Sequence, residues 1–246
     1  MNSSPLIELE EITFSYPGSH SPVLDRINLT LEDTQQLGLI GPNGCGKTTL
    51  FHCMMGLLKP NSGTMKFKGE ELLDSDDYFS LRKEIGLLFQ DADDQLFSPT
   101  VIEDVAFGPL NLGVSPKAAA ETAHRTLVTL GLDHLETRVT HHLSGGEKKL
   151  VSLATILAMQ PRALFLDEPT NNLDPDTRER LIDIIAGLGL GFIIISHDYD
   201  FLAETCTDLA GMEAGRIVAA DHAALHTHHH LHPHGSKPHK HSASLD

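Results

Sequence analysis

The sequence predicts an α/β fold, a mostly parallel sheet with helices on both faces, and three observations predict it. Residues 36–40, 163–166 and 192–195 are apolar runs of strand length. Helical patterns stand between them, over 47–58 after the first run and 175–186 between the other two. The 246 residues are 40% hydrophobic and 21% charged, the composition of a folded chain and not of a disordered one. Strands that alternate with helices pair in parallel and bury both faces of the sheet.

Taken in order, residues 6–14 alternate like a half-buried strand until Ser15-Tyr16-Pro17-Gly18-Ser19 supplies turn chemistry, and 23–31 repeat the alternation. The run 36–40 ends at Gly41, and 47–58 continues without a breaker to Lys59-Pro60-Asn61-Ser62-Gly63, which reads as strand, glycine loop, helix and turn. From about residue 91 to 160 the character changes. An acidic loop leads to 100–107, an Ala-rich helical stretch covers 116–130, and Leu150, Leu153, Ala154 and Leu157 recur at helical spacing up to Pro161. This predicts a mostly helical insertion before the strand and helix signals resume at 163. After His222 the chain turns histidine-rich and too polar to bury a core, so residues 1–222 are expected to form the domain and 223–246 a mobile tail.

Lys and Arg number 18 against 34 Asp and Glu, a net charge of −16, which phosphate backbones would repel, so nucleic acid is not an expected partner. The longest apolar stretch, 184–195, is interrupted by Gly187, Gly189 and Gly191 and falls short of the roughly 20 residues that cross a bilayer. The opening MNSSPLIELEE has no cationic leader, so the chain is expected to stay in the cytosol. Cys45, Cys53 and Cys206 form no C-x-x-C pair and read as thiols.

Gly41-Pro42-Asn43-Gly44-Cys45-Gly46-Lys47-Thr48 matches G-x-x-x-x-G-K-[ST] between a predicted strand and a helix. Glycines there let backbone N–H groups converge on phosphate oxygens, the helix N-terminus adds positive potential, Lys47 reaches the outer phosphates, and the Thr48 hydroxyl suits Mg²⁺. At Cys45 the backbone N–H does the cradling, and a catalytic thiol is not expected. Asp167 and Glu168 follow the apolar run at 163–166, at the strand end where ligands of open α/β sheets collect. Asp167 suits Mg²⁺ and Glu168 suits polarising an attacking water, while His197, after the next strand, suits a terminal phosphate or that water. Leu143-Ser144-Gly145-Gly146-Glu147 opens a further helix. It is a second phosphate-seeking terminus, which makes sense if it serves a nucleotide held by another subunit; an ordinary Ser N-cap with Glu147 in a capping box would use the same residues.

Over about residues 5–221 the chain resembles the ATP-binding-cassette ATPases, the motor subunits of membrane transporters. Walker A is GPNGCGKTT through Thr49, the Q-loop residue is Gln90, the signature is LSGGE at 143–147, Walker B is ALFLDE at 163–168, the D-loop NNLD ends at Asp174, and the switch histidine is His197. The resemblance implies a RecA-like P-loop NTPase core with an antiparallel β subdomain and an inserted α-helical signature subdomain at about 91–160. It implies Tyr16 stacked on adenine, Mg²⁺ near Thr48, Gln90 and Asp167, and a head-to-tail pair of ATPase subunits. In that pair Ser144, Gly145, Gly146 and Glu147 meet the partner's ATP, and closure and opening drive a membrane partner. Glu147 stands where glutamine is commoner, and Asn171-Asn172 where small residues are.

Residues 90–101 and 103–109 resemble the energy-coupling-factor transporters, particularly their cobalt and nickel branch. Acidic residues mixed with Leu96, Phe97 and Phe107 suit a groove for a basic amphipathic helix, which implies a transmembrane scaffold subunit, a substrate-binding membrane subunit and a place on the cytoplasmic face of the cell membrane. Nine of the 16 histidines lie from His222 onward, with His228, His229, His230, His232 and His234 closest together. Imidazoles suit Ni²⁺ and Co²⁺, although a solubilising tail or a purification tag would look similar. The expected function is ATP-driven nickel or cobalt import. The alternatives are the ATPase of an energy-coupling-factor vitamin importer and a His-rich nickel metallochaperone NTPase, the GTPase form of which needs an N-K-x-D motif, and no Asn-Lys pair occurs in the chain.

Overall fold

The computed structural model describes residues 5–219. Its strands are β1 (Ile7–Phe14), β2 (Leu24–Leu31), β3 (Gln36–Ile40), β4 (Ser62–Phe67), β5 (Glu70–Glu71), β6 (Ile85–Leu88), β7 (Ala163–Asp167), β8 (Gly191–Ile195), β9 (Asp208–Glu213) and β10 (Arg216–Ala219). Its α-helices are α1 (Lys47–Met54), α2 (Ser75–Glu84), α3 (Val101–Asn111), α4 (Pro116–Thr129), α5 (Gly145–Leu157), α6 (Pro175–Gly187) and α7 (Tyr199–Thr205).

Two sheets form. β2-β1-β4-β5 is antiparallel, and β10-β9-β3-β8-β7-β6 is parallel except for the antiparallel edge strand β10. β7 and β8 are buried along their whole length, which is why each reads as a continuous apolar run with no alternation. One core joins the antiparallel sheet to one face of the parallel sheet through α1, where Phe51 stacks on Phe165 with ring centroids 5.0 Å apart. A second core lies on the opposite face, where α3, α4 and α5 pack together with α6 and α7.

Local chemistry sets the helix ends. Asp74 and Asp77 form a capping box on α2, Ser115 caps α4 ahead of Pro116, and Asp174 caps α6 ahead of Pro175. The Arg180 guanidinium of α6 donates to the Gly131 carbonyl at 2.9 Å, tying α6 to the end of α4. Helix α1 stops at Met54, short of the 47–58 span expected from the sequence, because the chain turns at Gly56, whose φ of 67° is left-handed. No helix among the described residues is long and apolar enough to cross a membrane.

Candidate active site

In the parallel sheet β3, β8, β7 and β6 are neighbours, so the loops that follow their carboxyl ends meet at one edge. These loops carry Gly41–Thr48, His197, Glu168 and Gln90.

The loop after β3 needs glycine for steric reasons. At Gly41 (φ 156°) an added Cβ would stand 2.2 Å from the Met212 carbonyl oxygen, and at Gly46 (φ 110°) 2.8 Å from that of Val23. Gly46 is also the N-cap residue of α1, and no side chain caps that helix. The first-turn N–H groups are therefore free to meet an anion. Lys47, 6% exposed, donates from Nζ to the carbonyls of Gly41 (2.7 Å) and Pro42 (3.1 Å) and so pulls the loop into a ring. Tyr16 packs edge-on against Phe14, and its hydroxyl lies 3.2 Å from Thr49 Oγ1.

Asp167 is 3% exposed at the end of β7. Burial pushes its carboxyl above the usual range, opposed by a hydrogen bond from the Thr48 hydroxyl and by the charges of His52, Lys47 and Lys149. Its Oδ1 is buried with no hydrogen-bond partner among the described residues. An unpartnered carboxylate oxygen beside a threonine hydroxyl is a hard oxygen donor set, which fits Mg²⁺. Glu168 is held in a left-handed conformation (φ 46°) while its N–H donates to the Ile195 carbonyl at 2.9 Å. A glutamate gains nothing from that backbone, and strain of this kind collects at functional sites. Burial raises its carboxyl too, opposed by His197.

His197 closes the site. Its backbone N–H donates to Glu168 Oε2 at 3.3 Å, and its Nε2 lies 3.3 Å from Glu168 Oε1 and 2.8 Å from Asn43 Oδ1. With a proton on Nε2 the imidazole would donate to both of these oxygens. Tyr16, Lys47, Thr48, Gln90, Glu168 and His197 all line one cavity of about 760 Å³.

Of the residues expected at this site, Asn43, Gly44, Gly46, Thr49 and Asp167 line the same cavity, while Gly41, Pro42 and Cys45 do not, Pro42 being exposed and Cys45 buried. Ser144, Gly145, Gly146 and Glu147 do not line it, although Gly145 lines an adjoining cavity of about 640 Å³ with Thr48, Gln90 and Asp167. Ser144 caps α5, accepting from the Glu147 N–H at 3.3 Å while Glu147 accepts from the Ser144 N–H at 2.7 Å, so the capping box is present. Asp174 accepts from Thr177 at the start of α6, also outside the cavity. The candidate tail ligands His228, His229, His230, His232 and His234 lie outside the described residues.

Two buried charges escaped the sequence reading. Lys149 of α5 is 3% exposed and donates to the carbonyls of Phe89 (3.2 Å) and Gln90 (2.7 Å), and its burial pulls the ammonium below its usual range. Asp104 of α3 is 3% exposed; its Oδ1 accepts from the N–H groups of Phe97 and Ser98, and its Oδ2 has no partner among the described residues. Asp104 lines an apolar groove of about 340 Å³ with Phe97, Phe107 and Leu57. Each looks in sequence like a solvated charge. The one available hint is that Lys149 precedes Leu150 on a strongly apolar helix.

The ABC transporter family model matches residues 24–171. A putative ABC transporter ATP-binding protein of Nitratidesulfovibrio vulgaris is 54% identical over 97% of this chain and 87% of its own length. The energy-coupling factor transporter ATP-binding protein EcfA of Methanothermobacter thermautotrophicus is 42% identical over 87% of this chain and 70% of its own. The cobalt import ATP-binding protein CbiO of Syntrophus aciditrophicus is 42% identical over 88% and 78%. Among solved structures, cbiO1 from Clostridium perfringens, part of the ABC transporter complex cbiONQ, superposes with a TM-score of 0.78 at 34% identity, covering 88% of each chain. The chain thus belongs to the ABC transporter family, as an ATPase subunit of the energy-coupling-factor and cobalt-importer type.

Proposed function

We propose that this ATPase drives import of nickel or cobalt ions, working as a pair of ATPase subunits on the cytoplasmic face of the cell membrane against a transmembrane scaffold subunit and a substrate-binding membrane subunit. The observation that carries the motor role is the meeting of Lys47, Glu168 and His197 around one cavity. Gly41 to Thr49 receive the phosphates of ATP, and Tyr16 flanks the adenine. Thr48, Asp167 and Gln90 would hold Mg²⁺, which when bound neutralises phosphate charge. Glu168 accepts a proton from the attacking water, and His197, carrying its proton on Nε2, donates toward the terminal phosphate. Ser144 to Glu147 and Asp174 serve the partner's nucleotide, and none of them lines the cavity that holds Lys47, Glu168 and His197.

The groove lined by Phe97 (66% exposed), Phe107 and Asp104 supports docking of the scaffold. A buried carboxylate oxygen with no partner in an apolar groove calls for a cation, and a basic residue on an amphipathic helix supplies one. Cobalt import by the CbiO relative and the imidazoles of the tail both support a metal cargo. The division into a domain over 1–222, with its helical part at about 91–160, and a tail over 223–246 belongs to the same proposal.

The test is copurification of the chain with its membrane subunits followed by ATP-dependent uptake of radioactive Ni²⁺ and Co²⁺. Uptake of either metal, lost with Lys47→Ala, is the expected result; uptake of a vitamin and of neither metal would overturn the cargo. Calorimetry with Ni²⁺ on the intact chain and on one ending at Asp221 tests the tail separately.

A further inference from the structure

Three side chains, Lys149, Gln95 and Lys148, fasten the segment after β6 to the signature helix α5. Lys149 Nζ donates to the carbonyls of Phe89 and Gln90. Gln95 Nε2 donates to the Ser152 carbonyl at 2.8 Å and to Thr155 Oγ1 at 3.0 Å, while Gln95 Oε1 accepts from the Phe89 N–H at 3.3 Å. Lys148 Nζ lies 2.6 Å from Asp93 Oδ1. The Lys148 pair is largely exposed on its Asp93 side and contributes little. Lys149 is different, because an ammonium buried to 3% exposure is costly unless its N–H groups are bonded, and an apolar side chain would fill the same space at lower cost. What the ammonium adds is a fixed distance between α5 and the Gln90 backbone.

We propose that Lys149 is a positioning residue for Gln90, making the Gln90 loop and the signature helix one moving part. The proposal rests on the reading above, in which Gln90 serves this subunit's ATP and Ser144 to Glu147 serve the partner's. Given that reading, its consequence concerns the pair of sites. When the partner's nucleotide engages Ser144, α5 shifts as a rod and Lys149 carries the Gln90 carbonyl with it, resetting the place of Gln90 in the cavity that it already lines. Each site is thereby informed that the other is loaded.

The experiment uses the full chain with MgATP and compares Lys149→Met, which keeps the bulk and loses the donors, with Lys149→Gln, which keeps two N–H donors. Lys149→Met should lower kcat about 10-fold, leave the Kd of a fluorescent ATP analogue within roughly twofold, and speed hydrogen exchange at residues 86–95 but not at 41–49. Lys149→Gln should restore more than half of kcat. An unchanged kcat, an equal loss in analogue binding, or exchange at 86–95 like the parent would overturn the proposal. A second arm does not depend on how the Lys149 variants fold. In a Glu168→Gln background with MgATP, protection at 86–95 and at 144–152 should rise together, and Ser144→Arg should abolish both. Protection of 86–95 alone in the Ser144→Arg chain would overturn the linkage. Failure of the Glu168→Gln chain to pair at all would instead remove the reading beneath it.

Discussion

Asn43 Oδ1 lies 2.8 Å from His197 Nε2, joining the loop after β3 to the loop after β8 across 154 residues of sequence. The same imidazole nitrogen faces Glu168 Oε1 at 3.3 Å, so Asn43 and Glu168 hold the ring between them. Asn43→Ala should lower kcat by roughly 3- to 10-fold with KM for ATP changed less than twofold. Steady-state ATPase kinetics check this, and an equal rise in KM would show that Asn43 acts on nucleotide binding instead.

Glu168→Gln keeps the shape of the side chain and removes the proton acceptor. Turnover should fall by about 100-fold or more while ATP remains bound and the chain pairs stably. Size-exclusion chromatography with MgATP, set beside phosphate release, measures both. Hydrolysis at the parental rate would place the base elsewhere.

Asp104→Asn retains an oxygen to accept from the Phe97 and Ser98 N–H groups and removes the negative charge. The isolated chain should keep its ATPase rate and thermal midpoint to within about 2 °C, while affinity for detergent-solubilised membrane subunits should drop about 10-fold or more. Co-precipitation with those subunits across a salt series reads the effect.

Arg178 of α6 pairs with Asp198, Nε to Oδ2 at 2.6 Å and Nη2 to Oδ1 at 3.0 Å, and Asp198 also caps α7 through the Phe201 N–H. Burial works to raise the Asp198 carboxyl, but the bonds from Arg178 and Phe201 hold it below the ordinary 3.8. A carboxylate lowered on folding contributes stability that is fully present above the unfolded pKa and is lost as pH falls through the folded one. Asp198→Ala should cost about 2 kcal/mol near pH 7, roughly half from the lost cap and half from the unpaired guanidinium. That is a drop of about 4–8 °C in Tm, and the difference from the parent should shrink below pH ~4. Calorimetric melts across pH test both statements.

The sequence made β3, β7 and β8 readable because strands covered on both faces must be apolar throughout, and the glycine loop because only glycine allows Gly41 and Gly46 their backbones. It left β4, β6 and β9 unread. Ser62-Gly63 opens β4 with turn residues, β6 is only four residues and contains Gly86, and Asp208–Glu213 alternates too weakly to announce an inner strand. At the site, residues held by backbone geometry were visible, whereas Lys149 and Asp104 were not. A charge is recognised as buried only once the fold has placed neighbours over it, and the partners of Lys149 lie 59 and 60 residues away along the chain.

β7 and β8, sealed on both sides, give Asp167, Glu168 and His197 a bed that cannot yield without opening the whole interior. Any rearrangement on nucleotide cleavage then falls to the loops at the strand ends and to the helices around that bed.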